Sequence, residues 1–226
     1  MRRQDGVRCV RIPDEHGLQR SQSLTDACEE FRWLGEFGPF YDISCVSFAR
    51  SLTPVEALTR LGVEVADLEQ VTFERFQERT MWWIDTDNLR STYVGAIETH
   101  GWTVLIQLWA GSIVMDRHLM RDLSRESELV VVHRNIHATD YFCYVVDGEE
   151  VTWFDPLCPQ TRAGSDPDRL VREMREVGLD PEHDWDGPGI DGMFPRCFAL
   201  AKRITGLTFC RAMLDSPLVA AVIKGR

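Results

Sequence analysis

Apolar positions recur along this chain at two spacings, and each spacing marks out a kind of element. Helical spacing comes first. In SLTDACEEFRWLGEFG, Leu24, Cys28, Phe31 and Leu34 fall near every third or fourth residue. Ser23 or Thr25 is placed to cap this helix, and Gly38-Pro39 to stop it. DISCVSFAR then alternates as a strand, with Ile43, Cys45 and Ser47 on one face and Ser44, Val46 and Phe48 on the other. LTPVEALTRLG carries a full set of helix-end signals. Thr53 is an N-cap, Pro54 sits at the first helical position, Glu56 closes a capping box, and Gly62 can take the left-handed residue at the end. Residues 63–90 mix acids and aromatics without a clean period, which predicts a short helix and a long loop.

Further on, YVGAIETHGWTVLIQLW is two apolar runs around His100-Gly101, a hairpin signal. GSIVMDRHLMRDLSRES reads as a helix capped by Ser112, with Met115, Leu119 and Leu123 on one face. The continuous apolar run of ELVVVHRNI predicts a central strand. DYFCYVVDGEEVTWFDP predicts a hairpin whose Asp147-Gly148 suits a tight primed turn. GSDPDRLVREMREVG predicts a helix, with Ser165 and Asp168 at capping-box spacing, Pro167 in the first turn, and a stripe of Leu170, Val171, Met174 and Val177. FPRCFALAKRITG predicts another, closed by Lys202, Arg203 and Gly206. LTFCRAMLDSPLVAAVI predicts a short helix and an apolar tail. Hairpins imply antiparallel pairing. The expected fold is α+β, one mainly antiparallel sheet of five or six strands covered by helices. Residues 1–23 have few large apolar residues and no period. They are expected to form a flexible N-terminal arm ahead of a single domain over 24–226.

Composition supports a self-sufficient core: 226 residues, 44% hydrophobic and 27% charged. No apolar run approaches the roughly 20 residues that span a bilayer, and the basic start lacks the apolar segment of a signal peptide. The expected location is cytoplasmic. The seven cysteines, Cys9, Cys28, Cys45, Cys143, Cys158, Cys197 and Cys210, show no C-x-x-C pair, so they are expected as reduced, mostly buried residues. A net charge of −11 disfavours nucleic acid and anionic membranes as partners and favours a basic protein. Residues 1–23 run against that balance, with five Arg to three acids.

Candidate chemistry concentrates in HRNIHATDYF and its hairpin. His133 and His137 stand four apart, but in strand and turn context, and Arg134 occupies the place after His133 where a zinc protease has Glu. One reading gathers His133, Arg134, His137, Asp140 and Asp155 into a site at a sheet edge. The plainer reading pairs Arg134 with Asp140 or Asp155 and leaves the histidines at the strand end. Cys45 and Cys143 lie in apolar strand contexts that suit packing better than a nucleophile. DPEHDWDGPGID places Asp180, Glu182, Asp184 and Asp186 in alternation. Counted from Glu182, the twelfth position of a calcium loop would be Met193 rather than Glu, so no metal site is expected there. With Trp185, this loop is a candidate surface for a basic partner. Trp82-Trp83 cannot both face one core in an extended chain, so one of them is a candidate binding residue. No P-loop, dinucleotide fingerprint or G-x-S-x-G is present, and no cofactor is expected.

CVSFARSLTPVEALTRLG, GWTVLIQ, HRNIHATDYF, FDPLCPQTRAGSDPDRL and FALAKRITGLTF together resemble an actinobacterial family of uncharacterised proteins, over about residues 40–222. Members tend to have Asn where this chain has His137, which argues against an essential role for that histidine. The resemblance implies a bacterial cytoplasmic protein and carries no activity with it. Two functions follow as expectations. The first is an acidic interaction module for a basic protein, immunity- or antitoxin-like and not catalytic. The second is an enzyme or accessory protein acting on a small molecule or peptide at the polar sheet edge.

Overall fold

Strand β1 (Ile43–Arg50) lies inside an eight-stranded sheet, hydrogen-bonded on one side to β4 (Trp102–Leu108) and on the other to β5 (Glu128–Asn135), antiparallel to both. This computed structural model describes residues 28–87, 90–135, 140–182 and 192–224. The remaining strands are β2 (Glu69–Val71), β3 (Ser91–Thr99), β6 (Tyr141–Val146), β7 (Glu149–Phe154) and β8 (Leu218–Lys224). Their order is β2-β8-β3-β4-β1-β5-β6-β7, antiparallel at every step. The expected antiparallel sheet is present, with eight strands rather than five or six.

Alternation along each strand feeds two cores. Val46, Phe48, Val104, Ile106, Val130, Val132 and Phe142 face one way. They pack beneath α4 (Phe73–Asp87) and α8 (Met193–Thr205), joined by the short α1 (Trp33–Glu36), α2 (Gly38–Asp42) and α7 (Val171–Glu176). Cys45, Leu105, Leu129, Val131, Cys143 and Val145 face the other way, beneath α3 (Pro54–Arg60), α5 (Ser112–Met115) and α6 (Arg117–Ser124). With helices on both faces, the central strands are buried on both sides, and β4 is buried along its whole length.

Several local signals act as read. Thr53 and Glu56 form a reciprocal capping box on α3. Asp147-Gly148 and His100-Gly101 both take positive φ, as two-residue hairpins of primed type require. Gly206 ends α8 in the left-handed conformation.

Other expectations need correction. Gly38-Pro39 starts α2 instead of stopping a helix, because proline is well placed in a first turn. Residues 63–90 hold β2 and the fifteen-residue α4, not a short helix with a long loop. The helix over 112–124 is broken at Asp116, whose side chain accepts from His118 N–H and caps α6. Its buried face is Ile113, Val114, Leu119, Met120 and Leu123, while Met115 is exposed. Ser112 does not cap α5. The Gln107 side-chain oxygen accepts from Ile113 N–H, and its amide donates to Ser112 Oγ. Ser165 and Asp168 do not form a cap either. Asp168 accepts from Arg162, and α7 begins at Val171. The apolar tail is strand β8, between β2 and β3. The arm over 1–23, with Ser23, Leu24 and Thr25, lies outside the described residues.

Candidate functional site

The end of β5 brings the suspected catalytic residues to one place in sequence and then separates them. Arg134 shares a face with Val130 and Val132, towards α8. Its guanidinium lies 4.9 Å from the Tyr41 ring centre and 6.0 Å from that of Phe194. Nη1 donates to Asp140 Oδ2 at 3.0 Å, and Nε donates to the Tyr41 carbonyl at 3.1 Å. The second Asp140 oxygen accepts from Asn135 N–H at 2.7 Å. Asp155 stands at the end of β7 and uses Oδ1 to accept from Leu157 N–H. Burial raises its carboxyl pKa against that bond, and the charge on Asp140 adds to the rise.

His133 points to the opposite face. There it is stacked on Tyr141 with ring centres 6.2 Å apart. Nδ1 lies 2.9 Å from the Ser44 carbonyl, which can only accept, so Nδ1 carries the proton. Nε2 is then an acceptor, buried and without a hydrogen-bond partner among the described residues. A Cβ on Gly111 would come within 2.5 Å of the ring, so the absence of a side chain there makes room for the imidazole. Burial depresses the imidazole pKa, against the Ser44 bond and the Asp140 charge. His133 and Arg134 therefore do not converge on one substrate position. His137 lies outside the described residues.

The thiols show the same structural use. Burial pushes Cys45 up to about 12 and raises Cys143 and Cys197 as well, so all three are protonated, poor nucleophiles at neutral pH. In the acidic segment, Asp180 and Glu182 both accept from Arg175, at 3.4 and 2.6 Å. Asp184, Trp185 and Asp186 lie outside the described residues. No group of three or more His, Cys, Asp or Glu that could hold a metal ion occurs among the described residues.

The Trp82-Trp83 pair is carried by α4. Helical geometry sends the neighbouring side chains different ways, so Trp83 packs against the core while Trp82 is 51% exposed. The rings meet edge to face at 4.9 Å, which holds Trp82 on a buried base. Met81 is 46% exposed beside it. Exposed Glu74, Glu78 and Asp85 continue the same stripe at helical spacing, with Glu78 paired to the exposed Arg75 at 2.7 Å.

A family model described as a family of unknown function, DUF6461, matches residues 25–223. The chain belongs to that family. The DUF6461 match runs from before α1 into β8, so all eight strands fall within it at least in part. No curated protein and no solved structure matches the chain. The DUF6461 family is uncharacterised, as the resemblance in sequence implied, and residue roles in this member rest on geometry.

The pairing of Arg134 with Asp140 was legible in the sequence of this DUF6461 chain, but the groups that surround the pair were not. Tyr41 and Phe194, whose rings lie near the Arg134 guanidinium, come from α2 and α8. Nothing local to HRNIHATDYF points to either. The acid stripe of α4 was legible in principle, since Glu74, Glu78, Trp82 and Asp85 keep helical spacing. It was hidden by the aromatic residues that fill the rest of the helix.

Proposed function

We propose that the protein is an acidic cytoplasmic interaction module of actinobacterial origin, and that its α4 surface binds a basic protein in an immunity- or antitoxin-like role. The observation that carries this reading is the half-exposed Trp82, fixed edge-on against Trp83. An exposed tryptophan on a rigid base presents a large apolar face that loses little conformational entropy on binding. Glu74 and Asp85 flank it with negative charge, Glu78 being paired with Arg75, and the chain as a whole carries −11. A lysine or arginine of the partner fits this surface twice over, against the carboxylates and over the indole face. Asp180 and Glu182, together with the segment that carries Asp184, Trp185 and Asp186, add acid elsewhere on the body.

The test compares wild type with Trp82→Ala as baits in extract of the native host, read by mass spectrometry. The reading requires a stoichiometric basic protein that wild type retains and Trp82→Ala loses. An empty wild-type bait, or a partner held equally by both, overturns it. The alternative of an enzyme or accessory protein acting at the β5 end would need a substrate to reach Arg134 and Asp140, and both are buried.

A further inference from the structure

β7 contains an irregularity that re-aims a charged side chain. Tyr144 pairs with Thr152, and the next residue, Val145, pairs with Glu150, so Val151 is an extra residue, a β-bulge. In a regular ladder Glu150 would share the face of Thr152 and Phe154. The bulge turns it to the other face, beside Trp153 and across from Val145. The segment after β7 holds the bulge in place. Asp166 N–H donates to the Val151 carbonyl and Ser165 N–H to that of Glu150, at 2.9 and 3.0 Å, while Trp153 and Ala163 exchange two backbone bonds. Gly164 has φ +126° and lies so close to the Val151 carbonyl that a Cβ has no room.

On this face α6 covers β5 and β6 but leaves β7 open. The result is an open groove of about 530 Å³, a size that suits a small molecule. Trp153, half-buried, supplies its apolar surface, with Met120 and Val145 buried beneath it. Arg117 and Arg121 of α6 form a cationic wall and Glu150 of β7 an anionic one, while Glu149, paired with Val146, belongs to the opposite face of the strand. Arg117 Nε reaches across to Glu150 Oε1 at 2.9 Å.

We propose that this groove binds a small zwitterion with a flat apolar body, the chemical class of aromatic α-amino acids. A ligand of single charge would meet one wall favourably and be opposed by the other. A zwitterion lying across the groove sets its carboxylate by Arg117 and Arg121 and its ammonium by Glu150. Each member of the Arg117–Glu150 pair then gains a second neighbour of opposite sign. Arg117 is largely exposed, so adjusting this pair costs little. The flat body rests on Trp153, which Tyr141 backs edge-on at 6.3 Å. A β-bulge that re-aims one carboxylate, secured by a glycine that admits no side chain, is the kind of irregularity that accompanies binding sites. This site is separate from the α4 surface and stands or falls without it.

The test is calorimetric titration of the full chain with three probes: L-phenylalanine, 2-phenylethylamine, which lacks the carboxylate, and 3-phenylpropionate, which lacks the ammonium. Saturable binding of L-phenylalanine is expected, with each single-charge probe about tenfold weaker or worse, since a charge-assisted contact is lost. Glu150→Gln keeps the shape and removes the charge. It is expected to weaken L-phenylalanine about tenfold and to leave 3-phenylpropionate no weaker. A thermal melt of the variant verifies that it is folded. No saturation by L-phenylalanine up to about 10 mM, equal affinity for all three probes, or an unchanged L-phenylalanine affinity in folded Glu150→Gln overturns the proposal.

Discussion

Arg134 and Asp140 form an ion pair at 3.0 Å with side chains only 5% and 3% exposed, one on the last turn-free stretch of β5 and the other just before β6. Both charges have given up their hydration, and further bonds to Tyr41 and Asn135 compensate for part of that loss. Removing one partner strands the other. Asp140→Ala is therefore expected to destabilise the fold by about 3–5 kcal/mol. Asp140→Asn keeps an acceptor for Asn135 N–H and is expected to cost less. Urea unfolding followed by circular dichroism measures both. A cost for Asp140→Ala below about 1 kcal/mol would show that the pair is dispensable to the fold.

What could be read in advance was local. The capping box of α3, the turn at Asp147-Gly148 and the strand pattern of β1 are each decided by residues a few positions apart. The misread elements depend on distant partners. β8 is a mostly apolar run of Leu, Val, Ala and Ile, and its neighbours are Glu69–Val71 and Ser91–Thr99, far back in the chain. α4 has Phe73, Phe76 and Thr80 buried and Met81 and Trp82 exposed, so its apolar residues do not keep to one face. At the β5 end, strand alternation already separated His133 from Arg134. The contact of Gly111 with His133 was not legible, because it joins α5 to β5 across the sheet.

His133 predicts an acid-side loss of stability. Burial holds its pKa in the fold below the value near 6.5 of a free imidazole. In the pH range between the two values, the unfolded chain binds a proton that the fold does not. Its contribution is thus complete above about pH 6.5 and is lost as pH falls through the folded pKa. His133→Gln removes this titration. Its thermal midpoint is expected to fall less between pH 7 and pH 5 than that of wild type. Parallel pH profiles would count against the argument.

Burial also sorts the cysteines. Cys45, Cys143 and Cys197 are buried with raised pKa, whereas Cys158 and Cys210 are partly exposed. Iodoacetamide at neutral pH, mapped by peptide mass spectrometry, is expected to label Cys158 and Cys210 and to spare the other three until urea unfolds the chain. Rapid native labelling of Cys45 or Cys143 would reveal access to the core that this packing does not provide.

The neighbours Trp82 and Trp83 are expected to differ in what their loss does. Trp83 packs against the main core, and its indole supports the edge of Trp82. Trp83→Ala removes apolar contact and leaves a void only partly closed by solvent. About 2–3 kcal/mol is expected, somewhat below the 3–5 of a fully buried aromatic. Trp82 has half its surface in water, so Trp82→Ala is expected to cost under about 1 kcal/mol in urea unfolding. Partner capture should show the reverse order of sensitivity. Trp82→Ala loses the contact face outright, whereas Trp83→Leu, which keeps apolar bulk in the core, loosens only the support of Trp82 and retains part of the binding. Measuring stability and capture on the same variants separates a surface kept for binding from one kept for folding. If Trp82→Ala unfolds the protein as readily as Trp83→Ala does, the exposed indole belongs to the core, and the α4 stripe loses its claim as a docking face.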